Sequence, residues 1–242
     1  ILAAPLNKWF DAADYDEACP RFVAANIARL DETVVDLDLV EDLVAHVDAT
    51  AVDARGARDD GAILVFLPGF ADIAALADRL AAHPGARDGG RVVVPLHSSV
   101  SPADQRRAFA RPPAGARKIV LATNIAETSL TIDDVVYVID AGKLKERRHD
   151  PARGMSLLCE DFVSRASARQ RAGRAGRVRA GVAYTLLPRR RHDRQLRAFQ
   201  APEMVRVPLE ELVLQIHALG VGPAAAFLAR VVEPPPARAV EG

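Results

Sequence analysis

Cysteine is scarce in this chain, and so are long apolar runs. Only Cys19 and Cys159 occur among 242 residues, far apart, which argues against a disulfide framework and fits a reducing compartment. No apolar run approaches the ~18 residues of a membrane span, and no signal-peptide pattern follows Ile1. We therefore expect no membrane partner and a cytoplasmic location, with a nuclear one left open. An initiator Met is also missing, so we expect a piece of a longer protein.

The sequence motifs that bind a nucleotide phosphate or a metal ion in many enzymes are missing as well. A P-loop needs Gly-x4-Gly-Lys-Ser/Thr, but the only Gly-Lys pair lies in Gly142–Leu144, where leucine follows. The acidic pair within Asp16–Pro20 has no apolar strand before it, which argues against an Mg²⁺ site at a strand end. Three histidines lack metal-ligand spacing with either cysteine: His149, His192 and His217. We expect no metal held by this chain alone.

Charge is balanced over the whole chain but unevenly spread. Residues 1–62 hold 5 basic and 14 acidic residues, out of 32 of each sign, so the remainder holds 27 basic and 18 acidic residues. The stretch from Lys143 to Arg194, here named the basic belt, has 15 basic and 5 acidic residues. Such a belt is typical of a surface that meets phosphates, and a merely solvated basic surface is the alternative. We also consider that acidic residues 1–60 cover the belt as an autoinhibitory arm.

From Gly61 onward, short apolar runs alternate with stretches of helical spacing. Strands joined by helical crossovers predict an α/β fold, a parallel sheet with helices on both faces. Ligands of such sheets gather at the carboxyl ends of the strands, which points to Pro68–Asp72, His97–Val100 and Thr123–Asp133. The predicted strands are Ile63–Leu67, Arg91–Leu96, Lys118–Ala122, Val135–Ile139 and Val182–Leu186.

Helices, a hairpin and three regions complete the predicted architecture. Ser101 caps a helix that starts at Pro102 and runs through Phe109, and Gly220 ends an amphipathic helix. We expect an acidic, partly helical connector over residues 1–60, a sheet lobe over 61–200 and a helical extension over 201–242. The other predicted elements are helices at Leu39–Val47 and Ile73–Leu80 and a β-hairpin at Lys143–Leu158.

The arginine-rich stretch Ser164–Arg179 carries the strongest chemical signal. Read as one helix, it places Gln170, Arg174 and Arg177 on a single stripe. Two guanidinium forks and an amide on one face suit a polyphosphate, while a solvated basic helix is the plainer interpretation. Two glycines within the stretch, Gly173 and Gly176, weaken the helix and suggest that another backbone or a ligand comes close.

A polar loop is expected after the third strand. Thr123–Asp133 offers the amide of Asn124 and the hydroxyls of Thr123, Thr128, Ser129 and Thr131. Such groups, with loop N–H groups, are usual neutral contacts to nucleic-acid phosphates. A Ser/Thr-rich helix cap is the alternative interpretation.

These stretches, taken in order, resemble the DEAH/RHA-type RNA helicases of superfamily 2. Thr123–Asp140 (TNIAETSLTIDDVVYVID) is similar to their motif V, and Ser164–Arg177 (SRASARQRAGRAGR) to motif VI. Ile63–Ile73 (ILVFLPGFADI) resembles motif IV, and Pro95–Phe109 (PLHSSVSPADQRRAF) resembles the block that follows it. The likeness covers most of the chain, and it is strongest to the large multidomain branch of the family.

The resemblance implies a second RecA-like lobe that closes on ATP, or another NTP, held with Mg²⁺ mainly by a first lobe. By motif position, it implies that Arg174 and Arg177 are arginine fingers at the γ-phosphate and that Gln170 positions the attacking water or the phosphate. It further implies that Asp133 lies near the ribose and that Phe109 stacks on the base.

The resemblance also implies partners. Single-stranded RNA is expected to bind through its phosphate backbone, and the predicted hairpin is similar to the family's strand-separating wedge. The first RecA-like lobe and C-terminal domains of the same full-length protein are the expected protein partners, without which this chain is inactive. The residues expected at the RNA are Gly69, Ser98, Thr123, Asn124 and Thr128.

Three functions are compatible with these patterns. The first is half of an ATP-dependent RNA helicase that translocates 3′-to-5′. The second is a binding or scaffold module derived from a helicase, against which the intact Gln170, Arg174 and Arg177 argue. The third is a DNA motor on the same fold, because contacts to phosphates do not by themselves distinguish RNA from DNA.

Overall fold

A five-stranded parallel sheet is the larger of the two sheets in the described residues. The computed structural model describes residues 27–52, 56, 58–83, 90–128, 131–150 and 155–235, so Asp16–Pro20 and Ser129 lie outside the described part. The strands are Ala62–Phe66 (β1), Arg91–Leu96 (β2), Arg117–Ala122 (β3), Val135–Asp140 (β4) and Val182–Thr185 (β7). Their order in the sheet is β2-β3-β1-β4-β7, and every neighbouring pair is parallel.

Helices cover both faces of this sheet, as the sequence predicts. Alternate side chains of β1 point to opposite faces, so Val65 and Leu64 belong to different core clusters. Helices α1 (Leu37–Thr50) and α2 (Phe70–Ala82) pack on the Val65 face. The Leu64 face meets α4 (Ile125–Thr128) and the turn after α3 (Pro102–Arg106). The predicted α/β fold is therefore confirmed.

Helix α1 is an integral layer of the sheet domain. The side chain of Asp36 caps its amino end by accepting from the Leu39 N–H at 2.9 Å. Its inner face buries Val40, Val44 and Val47 at no more than 1% exposure. Asp48 then pairs with the guanidinium groups of two strand residues, Arg91 at 2.6 Å and Arg117 at 2.9 Å. The predicted helix within acidic residues 1–60 thus contributes to the core.

Two predicted helices end earlier than the sequence suggests. Helix α3 ends at Arg106, and turns with i→i−3 hydrogen bonds carry the chain through Phe109. Helix α5 (Arg165–Ala172) gives way to a 3-10 turn over Gly173–Gly176, so Ser164–Arg179 is not one helix. Glycine is a poor helix former, and Arg174 donates to a distant backbone carbonyl, which together account for the change.

The described residues form two compact units. The first comprises residues up to Leu144 together with Phe162–Phe199, and the second comprises Lys145–Asp161 with the residues from Gln200 onward. Strands β5 (Lys143–Asp150) and β6 (Met155–Phe162) make the predicted hairpin, which is longer than expected. The domain boundaries at residues 60 and 200 stay predictions.

The second unit holds a small core of its own. Helix α6 (Glu210–Leu219) ends at Gly220, whose φ of 63° is the left-handed cap that the sequence predicts. Helix α7 (Ala224–Leu228) follows and packs against it, and Leu209 and Ile216 lie in this core. Among the described helices, none combines the length and hydrophobicity that a membrane crossing requires.

Candidate functional site

The residues of the predicted polyphosphate stripe line one cavity. The Ser164 hydroxyl starts α5 by accepting from the Ser167 N–H at 3.1 Å. The 3-10 turn that follows α5 still leaves Gln170, Arg174 and Arg177 on the same side. The cavity measures about 310 Å³, and its lining residues are Glu127, Thr128, Gln170, Gly173, Arg174 and Arg177. Thr128, predicted at the RNA, therefore lies beside the predicted catalytic group.

Arg174 is a buried cation at the wall of this cavity. Its side chain is 6% exposed and donates to the backbone carbonyl of Glu127. Burial lowers the pKa of the Arg174 guanidinium from its usual value, the charge of Arg177 lowers it further, and Glu127 acts in the opposite direction. A guanidinium stays charged under these conditions. The positive charges of Arg174 and Arg177 therefore repel each other at this wall, and a bound anion would reduce that repulsion.

Arg177 is more exposed and is held by a hydroxyl. Its Nη1 donates to the Thr131 Oγ1 at 2.6 Å. The two glycines of the turn, Gly173 and Gly176, face open space, because a β-carbon at either position would meet no described atom within 4 Å. Protein packing thus does not require glycine here, and the close approach of a ligand stays a prediction.

Arg171, which follows Gln170 on α5, has a different role. It is fully buried, and it donates to Glu127 Oε2 at 3.1 Å, to Asp140 Oδ1 at 2.8 Å and to the Lys143 carbonyl at 3.2 Å. Arg171 therefore forms structural ion pairs inside the fold. Neither carboxylate was predicted from the sequence as a partner of this arginine, although Asp140 directly follows a predicted strand and Glu127 lies within the predicted polar loop.

The predicted RNA contacts gather mainly at the carboxyl edge of the sheet. Ala122 pairs with Phe66 and with Leu96, so β1, β2 and β3 end level with one another. The loops that follow carry Gly69 at the start of α2, the exposed Ser98, the 8%-exposed Thr123 and the exposed Asn124. The structure therefore brings four of the five predicted residues to one edge.

The predicted nucleotide contacts lie elsewhere. Asp133 is exposed in the turn that precedes β4, and Phe109 is 44% exposed in the turn after α3. Both are near the amino ends of the strands, because the Asp134 carbonyl accepts from the first residue of β1, Ala62, at 2.7 Å. The expectation that Asp133 shares the carboxyl edge with Thr123 is wrong, since Thr123 follows the carboxyl end of β3 whereas Asp133 precedes the amino end of β4.

The arginine-rich stretch Ser164–Arg179, here named the arginine segment, spans the same two edges. Arg171 contacts Asp140 at the carboxyl end of β4, whereas Arg179 pairs with Asp59 at 2.7 Å just before β1. The cavity lies between these anchors. Within the described residues, no three His, Cys, Asp or Glu side chains come together as a metal site would need. The donor set of this cavity, two guanidinium groups and an amide, instead suits phosphate oxygens.

Comparison with known proteins gives consistent matches. Residues 40–179 match the family model described as the helicase conserved C-terminal domain. The chain is 49% identical over 236 residues to the DExH-box ATP-dependent RNA helicase DExH4, chloroplastic, of Arabidopsis thaliana, covering 97% of this chain and 16% of that protein. It is 45% identical over 214 residues to human ATP-dependent DNA/RNA helicase DHX36, covering 88% and 20%.

A solved structure matches as well. The crystal structure of the Escherichia coli DEAH/RHA helicase HrpB superimposes with a TM-score of 0.73 at 33% identity, covering 88% of this chain and 26% of that one. The chain thus spans only about a sixth to a quarter of the proteins it resembles.

Proposed function

Because the chain belongs to the helicase conserved C-terminal domain family, we propose that it is the second RecA-like lobe of an ATP-dependent RNA helicase. In this role it completes a nucleotide site whose P-loop and Mg²⁺ ligands belong to a first lobe. It also holds single-stranded RNA by the phosphate backbone during translocation and unwinding. Its relatives are named as RNA helicases, and their similarity covers nearly the whole chain.

The cavity that joins Gln170, Arg174 and Arg177 is the observation that carries this proposal. Arg174 and Arg177 concentrate positive charge at one wall, and the burial of Arg174 limits screening by water. The two guanidinium groups stabilise the charge that develops on a transferring γ-phosphoryl group. Gln170, on the preceding helical turn, orients the attacking water or a phosphate oxygen.

The nucleotide's base and ribose are recognised at a second place in the lobe. Phe109 exposes a flat apolar face that suits stacking on a base, and stacking tolerates different bases. Asp133 offers a carboxylate to ribose hydroxyls. Because no base edge is read in this arrangement, we expect other NTPs to replace ATP. ATP and Mg²⁺ are held mainly by the first lobe.

The carboxyl edge of the sheet is the proposed RNA surface. Gly69, Ser98, Thr123 and Asn124 follow strands that end level with one another, and they offer hydroxyl, amide and backbone groups. Such groups contact phosphates without reading the base sequence, which suits a motor that steps along any strand. Thr128 links this loop to the arginine cavity.

A motor on DNA is the second candidate, because the human relative is named as a DNA/RNA helicase. Phosphate-directed contacts would serve either nucleic acid. Competition between single-stranded RNA and DNA of the same sequence for the full-length protein distinguishes the two. We expect RNA to compete more strongly, and a preference for DNA would favour the second candidate.

The test of the proposed function is ATP turnover by the full-length protein, with and without single-stranded RNA. We expect RNA to stimulate the wild type and Arg177→Ala to lower turnover by about 10³-fold or more, as for other arginine fingers. Arg169→Ala is the matched control, because Arg169 is exposed on α5 and does not line the cavity. An inert wild type that still binds RNA would move the function to a binding module.

A further inference from the structure

Lys118, the second residue of β3, is a buried cation whose ammonium group has three acceptors. Its side chain is 1% exposed. The Nζ donates to the Ala108 carbonyl at 2.7 Å and to the Ala110 carbonyl at 2.9 Å, and it lies 2.8 Å from Asp134 Oδ1. An ammonium has three N–H donors, and three acceptors surround this one. Burying such a charge is costly unless its partners are fixed in place.

The three partners flank the two residues proposed to contact the nucleoside. Ala108 and Ala110 lie on either side of Phe109, and Asp134 follows Asp133 directly. One side chain therefore joins two loops that are otherwise more than twenty residues apart in sequence. Since α3 ends at Arg106, Phe109 lies outside the helix.

We propose that Lys118 is a positioning residue that fixes Phe109 and Asp133 relative to each other and thereby sets how strongly the base and ribose are bound. This inference rests on the proposed nucleotide-binding function and adds a residue to it. Phe109 leaves almost half of its side chain in solvent, so the backbone on either side must supply its orientation. Lys118 supplies it from inside the core, without touching the nucleotide.

The chemistry of lysine explains why this position requires it. Three acceptors lie within 3 Å of a single atom, Lys118 Nζ. An ammonium carries its three donors on that one atom, whereas a guanidinium spreads its donors over three nitrogens in one plane. Methionine has a similar unbranched length but no donor. Replacing Lys118 with Met should therefore keep most of the packing and release both loops.

The experiment compares binding of ATP with binding of inorganic tripolyphosphate to the full-length protein. Tripolyphosphate lacks base and ribose, so the ratio of the two dissociation constants reports the nucleoside contacts alone. We expect Lys118→Met to lower the preference for ATP by about tenfold, close to the effect of Phe109→Ala, because base stacking contributes on this scale. We expect the double variant to lose less than the two single losses combined, because both changes act on the stacking contact of Phe109.

Arg117→Met is the matched control. Arg117 precedes Lys118 on β3, is also 1% exposed, and pairs with Asp48 and the Gly61 carbonyl rather than with Ala108, Ala110 or Asp134. Its loss should destabilise the fold without changing the preference for ATP over tripolyphosphate. If Lys118→Met does not fold, Asp134→Ala serves instead, because Asp134 is 18% exposed and its change leaves the lysine two acceptors. We expect this variant to lower the preference severalfold.

The outcomes separate the inference from the function on which it rests. An unchanged preference in folded Lys118→Met, or an equal loss in Arg117→Met, would overturn the positioning role. A wild type that binds ATP no more tightly than tripolyphosphate would also overturn the positioning role. In that case, RNA-stimulated turnover that is lost in Arg177→Ala would still support the proposed motor function. Absence of wild-type turnover would instead remove the proposed function itself.

Discussion

Two arginines three residues apart on the arginine segment are buried for different purposes. Arg171 is enclosed by the carboxylates of Glu127 and Asp140, so its charge is neutralised within the fold. Arg174 donates to a backbone carbonyl and lies close to the like charge of Arg177. The first arrangement stabilises the lobe, and the second keeps positive potential available to a ligand.

This difference predicts separate effects on stability. We expect Arg171→Ala to lower the free energy of unfolding by about 3–5 kcal/mol, because Glu127 and Asp140 are left as buried carboxylates without their cation. Urea denaturation of the chain, followed by circular dichroism, measures the change. The exposed neighbour Arg169→Ala should stay within ~0.5 kcal/mol of the wild type. A loss for Arg171→Ala below ~1 kcal/mol would contradict the structural role.

At the scale of elements, glycine has two distinct uses near the 3-10 turn. A β-carbon on Gly181 would collide with the carbonyl oxygens of Ala175 and Val136, which belong to the turn and to β4. A β-carbon on Gly173 would meet open space, at the wall of the cavity. Close backbone packing thus requires glycine at the first position and not at the second.

The two positions therefore predict opposite outcomes for the same substitution. We expect Gly181→Ala to lower the unfolding free energy by about 1–3 kcal/mol through overpacking. Gly173→Ala should keep or raise stability by up to ~1 kcal/mol, since its φ is already negative. Thermal unfolding of both variants, under identical conditions, is the measurement. Equal destabilisation by both would show that the turn tolerates no side chain at all.

The sequence predicts the strands better than it predicts where helices end. Buried strands such as β1 and β3 are recognisable in the sequence as apolar runs. Their predicted ends differ from the observed ends by no more than one residue. The ends of α3 and α5 depend on contacts across the fold, such as the bond from Arg174 to the Glu127 carbonyl. Likewise, spacing identifies the stripe of Gln170 and Arg174, but nothing local reveals that Lys118 joins two loops.

Over the whole molecule, the uneven charge of the sequence is partly cancelled by folding. Glu32 and Asp59 come from the acidic amino-terminal region, and they pair with Arg191 and Arg179 of the basic belt. Further belt cations, such as Arg148, are paired with carboxylates as well. The surface available to phosphates is therefore smaller than the belt's composition suggests.

At the scale of the whole chain, we predict that ATP hydrolysis depends on a first lobe. The sequence has no Gly-x4-Gly-Lys-Ser/Thr, and in the proposed function a first lobe supplies the groups that hold the phosphates and Mg²⁺. We expect the purified chain to show no steady ATP hydrolysis, with or without RNA, in a phosphate-release assay. Turnover by the purified chain that disappears in Arg177→Ala would contradict this prediction, whereas turnover that persists would indicate a contaminant.

Strand β3 separates the proposed nucleoside contacts from the proposed nucleic-acid contacts by its own length. Lys118 holds the proposed nucleoside contacts near the start of this strand, and Thr123 follows its end. The two points are five residues apart along an extended strand, a span of roughly 17 Å. If such a rigid body turns by ~10° about its nucleotide end, the far end moves by about 3 Å. In the proposed function, the length of one buried strand thus sets how far a small closure of the lobe displaces nucleic acid held near Thr123.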